Sequence, residues 1–432
     1  MRLGTIITAL MFRLRLFHLW RLLPRGLRQR LVRRILPVPV RVDRLPRPVL
    51  PIVIIGPFRS SASFGRLSRV LFANFERAGL PVYAHDISEG FLANDLAMPL
   101  APVPDGIFSA PATLIIVGTP DQFAYIRSFL PSSLEQKFVI GLCPWELESL
   151  PEAWLEPLAT LDAVYVPSQF VANAFTADFP ALPQRIVPCL EVPRVAAKPD
   201  RARWAIRDDA FVVLTVFSLR SGLERKNPAG AIAAFKRAFP DSKKVQLVVK
   251  TTDAELEAGA YASLCALIDD DPRILLVTET LSETDLETLI ASTDVLLSLH
   301  RAEGFGLVPA QAMLHAKPVI MTGWSSVTEF ATSESSVLIR YELVAVSDPE
   351  ERFSGAMRWA EPDIDDATAA LRRLFADPAE RTAMGRRGQR QMTAFIADRE
   401  ARFQAFLAEA FSQPLEPRPR IAQDATENGA QD

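Results

Sequence analysis

Cysteine is scarce in this sequence of 432 residues, and what is there does not form a recognisable set. Cys143, Cys189 and Cys265 lie far apart and lack the spacing of metal ligands, so neither a zinc ribbon nor a disulfide framework has support. Charged residues make up 23% of the chain and hydrophobic residues 49%. These values exclude a mostly disordered protein, and the length allows two or three domains.

Acidic residues are almost absent from the first 47 positions, where Asp43 stands among twelve arginines and no lysine. This segment has a charge of +11 in a chain whose net charge is −3, so the remaining residues carry −14. A nucleic-acid-binding protein is expected to have its basic surface on the folded domains. The distribution therefore argues against nucleic acid as a partner.

The basic segment also lacks a long apolar run. Its longest uncharged stretch, 3–12, has ten residues, whereas about 20 are needed to span a bilayer. Large apolar side chains share one side of a predicted helix: Phe12, Leu16, Leu19, Trp20 and Leu23. We therefore expect residues 1–45 to lie on an anionic membrane surface. The alternative is a helix docked on the protein's own body. A proline-rich stretch at 37–51 predicts a stiff linker.

Apolar runs alternate with amphipathic helices through the rest of the chain, which predicts parallel sheets in an α/β fold. Strands are expected at 51–55, 81–84, 112–117, 138–142, 163–166, 211–217, 245–250, 274–277, 295–299 and 318–321. The pattern predicts a basic arm with its linker at 1–48 and two doubly wound domains at 49–192 and 193–412, whose last helix could return to the first domain. A disordered tail is expected at 413–432. Ligands of such domains bind at the carboxyl ends of the strands, in a cleft between the two sheets.

The segment at 298–323 carries the most informative motif. A predicted strand ends near His300, and a helix is expected to begin near Leu307. Gly304 and Gly306 between them allow the backbone close approach to a ligand, and a helix N-terminus suits a phosphate. Taken alone, the glycine pair is equally typical of a tight turn between a strand and a helix.

This segment resembles the Glu-x7-Glu signature of retaining nucleotide-sugar glycosyltransferases of family 4, with Glu303 and Gln311 at the two acidic positions. Three further segments, at 141–175, 218–235 and 341–374, are similar to polysaccharide-assembly members of that family. The resemblance covers roughly residues 50–410 and does not include the basic arm. It implies the GT-B fold, in which two Rossmann-like domains face a cleft.

The resemblance also implies roles for residues of the second domain. Arg220 and Lys226 match the cationic pair that neutralises the donor diphosphate, with Arg225 assisting, and such fixed charges make a metal ion or other cofactor unnecessary. Glu303 matches the acid that binds hydroxyl groups of the donor sugar. The backbone beneath the sugar and phosphates is that of Gly304, Phe305, Gly306, Leu307 and Val308. The alternative for the three cations is an ordinary solvated charge run.

Other positions depart from the family pattern or match it less closely. Gln311 replaces the acid that usually holds the ribose diol, which removes a charge-assisted hydrogen bond worth about 1 kcal/mol. In the first domain, Gly65 and, less clearly, Ser63 match the loop that faces the donor phosphates. His300 is a candidate for lining the sugar pocket. Trp145 and Glu146 are candidates for the acceptor side, although Trp145 is equally suited to core packing.

The sequence therefore predicts a hexosyltransferase that uses a nucleotide diphosphate sugar and a glycan or lipid-linked acceptor in bacterial polysaccharide or lipopolysaccharide assembly. We expect a cytoplasmic protein, bound peripherally to the inner face of the membrane. The main alternative is a catalytically silent relative that binds nucleotide sugars or scaffolds a complex. A phosphorylase or an epimerase is a further alternative, but no cofactor-lysine motif is recognisable.

Overall fold

The first half of the chain forms a six-stranded parallel sheet with the strand order β2-β1-β3-β4-β5-β6. The computed structural model describes residues 43–92, 95–127, 129–130, 134–193, 197–348, 353 and 356–411, together with Leu31 and Arg41. The strands of this sheet are β1 (Ile52–Gly56), β2 (Val82–Asp86), β3 (Ala112–Val117), β4 (Lys137–Leu142), β5 (Ala163–Val166) and β6 (Gln184–Ile186). Every residue of β1 and β3 is buried, as expected for central strands covered on both faces.

A second parallel sheet of six strands follows, in the order β12-β11-β10-β7-β8-β9. It contains β7 (Phe211–Val216), β8 (Val245–Lys250), β9 (Ile274–Val277), β10 (Val295–Ser298), β11 (Val319–Thr322) and β12 (Val337–Ile339). Strands β7 and β10 are neighbours at the centre of this sheet. Strands β8 and β9 lie beyond β7 on one side, and β11 and β12 lie beyond β10 on the other. The prediction of two doubly wound α/β domains is therefore confirmed.

Helices connect the strands of each sheet. They are α1 (Ser63–Arg77), α2 (Ser88–Phe91), α3 (Phe123–Arg127), α4 (Leu155–Leu158), α5 (Gln169–Asp178), α6 (Leu223–Lys226), α7 (Pro228–Ala238), α8 (Ala258–Ile268), α9 (Glu283–Ala291), α10 (Leu307–Leu314), α11 (Ile364–Ala376) and α12 (Pro378–Ala410). The long helix α12 reaches back to the first sheet, where the ring of Phe403 lies 5.8 Å from that of Phe75 and 6.1 Å from that of Tyr165. Both halves of the chain therefore contribute to one continuous core.

An antiparallel hairpin that the apolar pattern did not predict joins the second sheet to α11. Its strands are β13 (Tyr341–Ala345) and β14 (Arg358–Pro362), both of mixed polarity. The short strands β6 and β12 were also missed. The predicted arm helix at 12–23 and the predicted tail at 413–432 lie outside the described residues. Within those residues, no helix combines the length and apolar character needed to cross a membrane.

Candidate functional site

Strand order brings the two motif-bearing segments of the second domain together. Strands β7 and β10 are parallel neighbours, so their carboxyl ends lie side by side at one edge of the sheet. The segment after β7 carries Arg220, Arg225 and Lys226, and the segment after β10 carries His300 and Glu303. Side chains that are 77 positions apart in the sequence, such as Lys226 and Glu303, therefore come into contact.

A buried cluster of two cations and one carboxylate forms the centre of this edge. The ammonium group of Lys226 donates a short hydrogen bond to Glu303 Oε1. Arg225 lies with Nη1 3.6 Å from Glu303 Oε2, and the same nitrogen donates to the carbonyl of Ala302 over 2.8 Å. The exposed fractions are only 7% for the side chain of Arg225 and 10% for that of Glu303. A buried carboxylate between two cations stays charged and is held in one position.

The pKa values in this cluster reflect burial and mutual charge. Burial alone would raise the pKa of Glu303, but the charges of Lys226 and Arg225 lower it to about 2. Burial lowers the pKa of Lys226, against the opposing effect of Glu303. His300 is completely buried, and burial lowers its pKa to about 4, with Glu303 acting in the opposite direction. At neutral pH the cluster thus contains a carboxylate beside a neutral imidazole.

Arg220 occupies a different position from the other two cations. It is the exposed residue of a 3₁₀ turn, Leu219–Ser221, where its backbone N–H donates to Ser218 Oγ over 3.2 Å. The ion pairs with Glu303 come from Arg225 and Lys226. The structure therefore brings Arg225, for which an assisting role was predicted, into the centre of the cluster, whereas the diphosphate-binding role of Arg220 stays a prediction.

The glycines after Glu303 are required by backbone geometry. Gly306 has φ +87° and precedes α10, a conformation that side chains with a Cβ rarely adopt. A Cβ on Gly304 would overlap the carbonyl oxygen of Trp145 in the first domain. The carbonyl of Gly304 also accepts a hydrogen bond from Ser168 Oγ over 2.7 Å. The signature loop therefore lies directly against the first domain.

The two acceptor-side candidates have different surroundings. Trp145 is buried, with its ring 4.6 Å from that of Trp154, and its Nε1 donates to the carbonyl of Ser149 over 2.8 Å. These contacts favour the core-packing alternative for its side chain. Glu146 is partly exposed and lies with Oε1 3.7 Å from Arg225 Nη2. Of the two, Glu146 is the side chain at the edge of the charged cluster.

The predicted phosphate loop of the first domain is tightly folded onto α1. Gly65 is buried, and a Cβ there would overlap the carbonyl oxygen of Ser60, so the loop itself requires glycine. Arg69 donates to the carbonyls of Phe58 and Ser60 over 2.7 and 2.8 Å. It also pairs with Glu283 of α9 over 2.5 Å, across the gap between the domains. Ser63 is the exposed first residue of α1.

Comparison with protein families gives a match over more than half of the chain. The matching description is "Family 4 Glycosyltransferase in conflict systems", over residues 171–400. The chain belongs to this family. The match includes the charged cluster, the signature loop and most of α12.

The chain is also similar to a trehalose synthase, and it shares the GT-B architecture with solved structures. A trehalose synthase from Rubrobacter xylanophilus is 24% identical over 205 residues, which is 44% of either chain. Sucrose-phosphate synthase from Thermosynechococcus elongatus superimposes with a TM-score of 0.58 at 16% identity, covering 85% of this chain and 99% of the other. Anabaena HepE, solved in complex with UDP and glucose, gives 0.57 at 14% identity over 84% and 99%. The chain spans less than half of the trehalose synthase.

Two buried polar side chains of the signature segment each have one nitrogen without a hydrogen-bond partner. Gln311 on α10 is 4% exposed, and its Nε2 has no hydrogen-bond partner. His300 is bonded through Nδ1 to Ser298 Oγ over 3.1 Å, whereas its Nε2 has no partner. Buried donors and acceptors are normally satisfied. These two nitrogens therefore lack the partner that a buried polar atom normally has, and the donor-binding roles of both residues stay predictions.

Sequence reasoning missed the residues that hold the signature loop. Ser325 Oγ accepts from the backbone N–H of Glu303 over 3.1 Å, and Ser326 Oγ donates to its carbonyl over 2.8 Å. The φ of +71° at Ser325, unusual for a residue other than glycine, marks this turn in the structure but leaves no signal in the sequence.

Among the described residues, no group of three or more His, Cys, Asp and Glu side chains could hold a metal ion.

Proposed function

We propose that the chain transfers a sugar from a nucleotide diphosphate donor to an acceptor hydroxyl group, with retention at the anomeric carbon. The observation that carries this proposal is the buried set of Arg225, Lys226 and Glu303 at the carboxyl edge of the second sheet. Membership of a glycosyltransferase family supports it. HepE, a protein of the same fold, binds UDP-glucose.

The chemistry follows from charges that are already in place. With donor bound, Lys226 and Arg225 meet the diphosphate, and Glu303 accepts hydrogen bonds from the sugar hydroxyls. As the bond between the anomeric carbon and the phosphate oxygen breaks, negative charge grows on the leaving diphosphate, and preorganised cations stabilise it. The acceptor oxygen bonds to the same face of the anomeric carbon while its proton passes to the leaving phosphate oxygen. This route uses no enzyme nucleophile, metal or other cofactor.

We further propose that the acceptor is a lipid-linked saccharide at the cytoplasmic face of the bacterial membrane, during polysaccharide or lipopolysaccharide assembly. The support is the +11 charge of the first 47 residues, which suits anionic headgroups. The protein would then be peripherally bound through the basic residues that precede Arg41, which is itself buried against the first domain, and hexose transfer would take place near the membrane surface.

One observation favours a second candidate function, a silent protein that binds nucleotide sugars without turning them over. Gln311 stands where the family usually has an acid, and its amide has an unpartnered nitrogen in a buried site. A neutral side chain binds the ribose diol less strongly than a carboxylate does. The intact pair of Lys226 and Glu303 argues for turnover.

Purified full-length protein and a panel of UDP-, GDP- and ADP-sugars separate the two candidates. A bound donor raises the melting temperature by mass action. We expect one nucleotide class to stabilise the protein and to be hydrolysed slowly without acceptor, with or without EDTA. Stabilisation without any release of nucleotide diphosphate would favour the silent protein. Neither stabilisation nor release with any sugar would contradict both.

A further inference from the structure

Arg301 connects three segments around the charged cluster. It lies between β10 and Glu303, and its guanidinium forms two hydrogen bonds with Glu361 of β14, of 2.5 and 3.0 Å. The same guanidinium donates to the carbonyl of Glu224 on α6 over 2.5 Å and lies 3.2 Å from its carboxylate. The side chain of Arg301 is 15% exposed. A planar guanidinium with two carboxylate partners is held in a fixed orientation.

The backbone of Arg301 makes the same connections. Its N–H donates to the carbonyl of Arg225 over 2.7 Å, and its carbonyl accepts from the N–H of Ala360 over 3.0 Å. One residue thus fixes the segment of Arg225 and Lys226, the signature loop and strand β14 relative to one another. Glu303 is only two positions further along the chain.

The hairpin that supplies Glu361 also contacts the first domain. Trp359 of β14 is buried, and the Arg301 guanidinium carbon lies 5.6 Å from the centre of its ring. Phe353, in the segment between β13 and β14, has its ring 6.3 Å from that of Trp359 and 5.3 Å from that of Trp145. The next residue along from Trp145 is Glu146, which lies near Arg225. The hairpin therefore contacts Arg301, next to the charged cluster, and also contacts Trp145 of the first domain.

We propose that Arg301 and Glu361 form a positioning pair for the transfer reaction. The pair keeps Lys226 and Arg225 at the distance from Glu303 that the donor requires, and it does so through neighbouring residues rather than by contact with substrate. Through this pair, the β13–β14 hairpin holds the charged cluster in position. This inference rests on the proposed function.

The test compares Arg301→Lys and Glu361→Gln with a control at the residue that directly precedes the hairpin. Lysine keeps the charge but cannot hold both glutamates in one plane, and glutamine keeps the shape of Glu361 without its charge. Arg340→Gln is the control, because Arg340 is exposed and pairs with Asp363 and Asp366 at the base of the hairpin. UDP-glucose is the first donor probe, followed by the GDP- and ADP-sugars.

We expect kcat of the two variants to fall by about 10- to 100-fold, because a displacement of about 1 Å can cost a factor of this size. KM for the donor and the melting temperature should change little, and Arg340→Gln should match the unaltered protein. Equal effects on KM and kcat, or a loss explained by a lower melting temperature, would overturn the positioning role. If Arg301→Lys does not fold, Glu361→Gln, at a more exposed position, decides.

A crystal structure of Glu361→Gln gives a readout that needs no donor. We expect Lys226 and Arg225 to move relative to Glu303, whereas an unchanged cluster would overturn the inference. Absence of turnover by the unaltered protein with every nucleotide sugar would instead contradict the proposed function. The two failures are therefore distinguishable.

Discussion

Lys226 shares its buried carboxylate with Arg225, so its removal changes the site without leaving Glu303 wholly uncompensated. In Lys226→Met the diphosphate loses a charge-assisted contact worth about 1.5–3 kcal/mol, which corresponds to about 10- to 150-fold in turnover. We expect a loss of this size in nucleotide-sugar hydrolysis. The matched control is Lys243→Met, at an exposed position outside the motif segments, just before β8. Equal turnover by the two variants would contradict the role of Lys226.

His300 predicts a pH dependence of stability. Its pKa is about 4 in the folded protein, mainly because of burial, against an ordinary value of 6.5. Between these values the unfolded chain binds more protons than the folded protein, so the free energy of unfolding falls as the pH is lowered from 6.5 to 4. A full shift of this size corresponds to about 3 kcal/mol.

Replacing His300 by Asn should remove this contribution. We expect the stability of the variant, measured by urea unfolding at several pH values, to fall less than that of the unaltered protein between pH 6.5 and 4. His85 and His315 also have pKa values lowered by burial, but they are present in both proteins and cancel in the difference. Parallel stability curves would contradict the lowered pKa, because His300 would then bind protons equally in the folded and unfolded states.

The sequence identified residue types better than residue partners. Glu303, Arg225 and Lys226 were found by their motifs, but nothing in the sequence states that Lys226 touches Glu303, because strand order alone makes β7 and β10 neighbours. Arg301 was missed, since an arginine after a strand resembles any solvated charge. Trp145 was left open between two roles, and only its contacts with Trp154 and Phe353 distinguish them.

The signature loop and the first domain meet at a contact that only glycine allows. In Gly304→Ala the new Cβ would overlap the carbonyl of Trp145, so either the loop or the domain contact must shift. We expect a lower melting temperature and a loss of turnover, because Glu303 is the adjacent residue. Gly259→Ala is the control, since nothing lies within 4 Å of the added atom in α8 and alanine favours a helix.

The Gly304 prediction fails if its alanine variant keeps both stability and turnover. A loss of turnover at full stability would show that the loop moved and the fold did not. If UDP-sugars restored both the melting temperature and the turnover, the defect would lie in the contact between the signature loop and the first domain. Gly259→Ala should be as active as the unaltered protein, and its melting temperature should be equal or slightly higher.

Elements with continuous apolar runs were predicted to within about a residue, and elements of mixed polarity were not. The predicted strands 112–117, 163–166, 245–250 and 274–277 have the observed bounds. Burial on both faces explains the agreement for 112–117, 163–166 and 245–250, because such strands need no alternation, and 274–277 is an edge strand with an equally continuous apolar run. Strand β13 begins with exposed Tyr341 and Glu342, and β14 contains Arg358 and Glu361, so neither has an apolar signal.

Contacts between the basic arm and the first domain determine how much of the arm can be removed. Arg41 is buried and donates to the carbonyl of Thr160 and to Asp162, both over 2.7 Å, so it belongs to the contacts of the first domain. A protein lacking residues 1–40 keeps these contacts, whereas removal of residues 1–45 would break them. We expect the shorter truncation to fold and to bind nucleotide sugar, but not to sediment with vesicles that contain anionic lipid.

A full-length variant with Arg13, Arg21 and Arg28 changed to Glu is the matched control for charge. It should also lose vesicle binding, and high salt should weaken binding of the unaltered protein. Sedimentation of the truncated protein at the original level would contradict the membrane prediction. A much lower melting temperature of the truncated protein would indicate a docked structural helix instead.

The return of α12 to the first sheet means that the polypeptide crosses between the two halves of the molecule twice. Arg399 of α12 pairs with Glu329 over 2.5 Å and donates to the carbonyl of Pro167, while Phe403 and Leu407 are buried in the shared core. A protease that cut the chain between β6 and β7 would therefore release no free domain. The two fragments should elute together from a sizing column and separate only in denaturant, as in a non-covalent heterodimer.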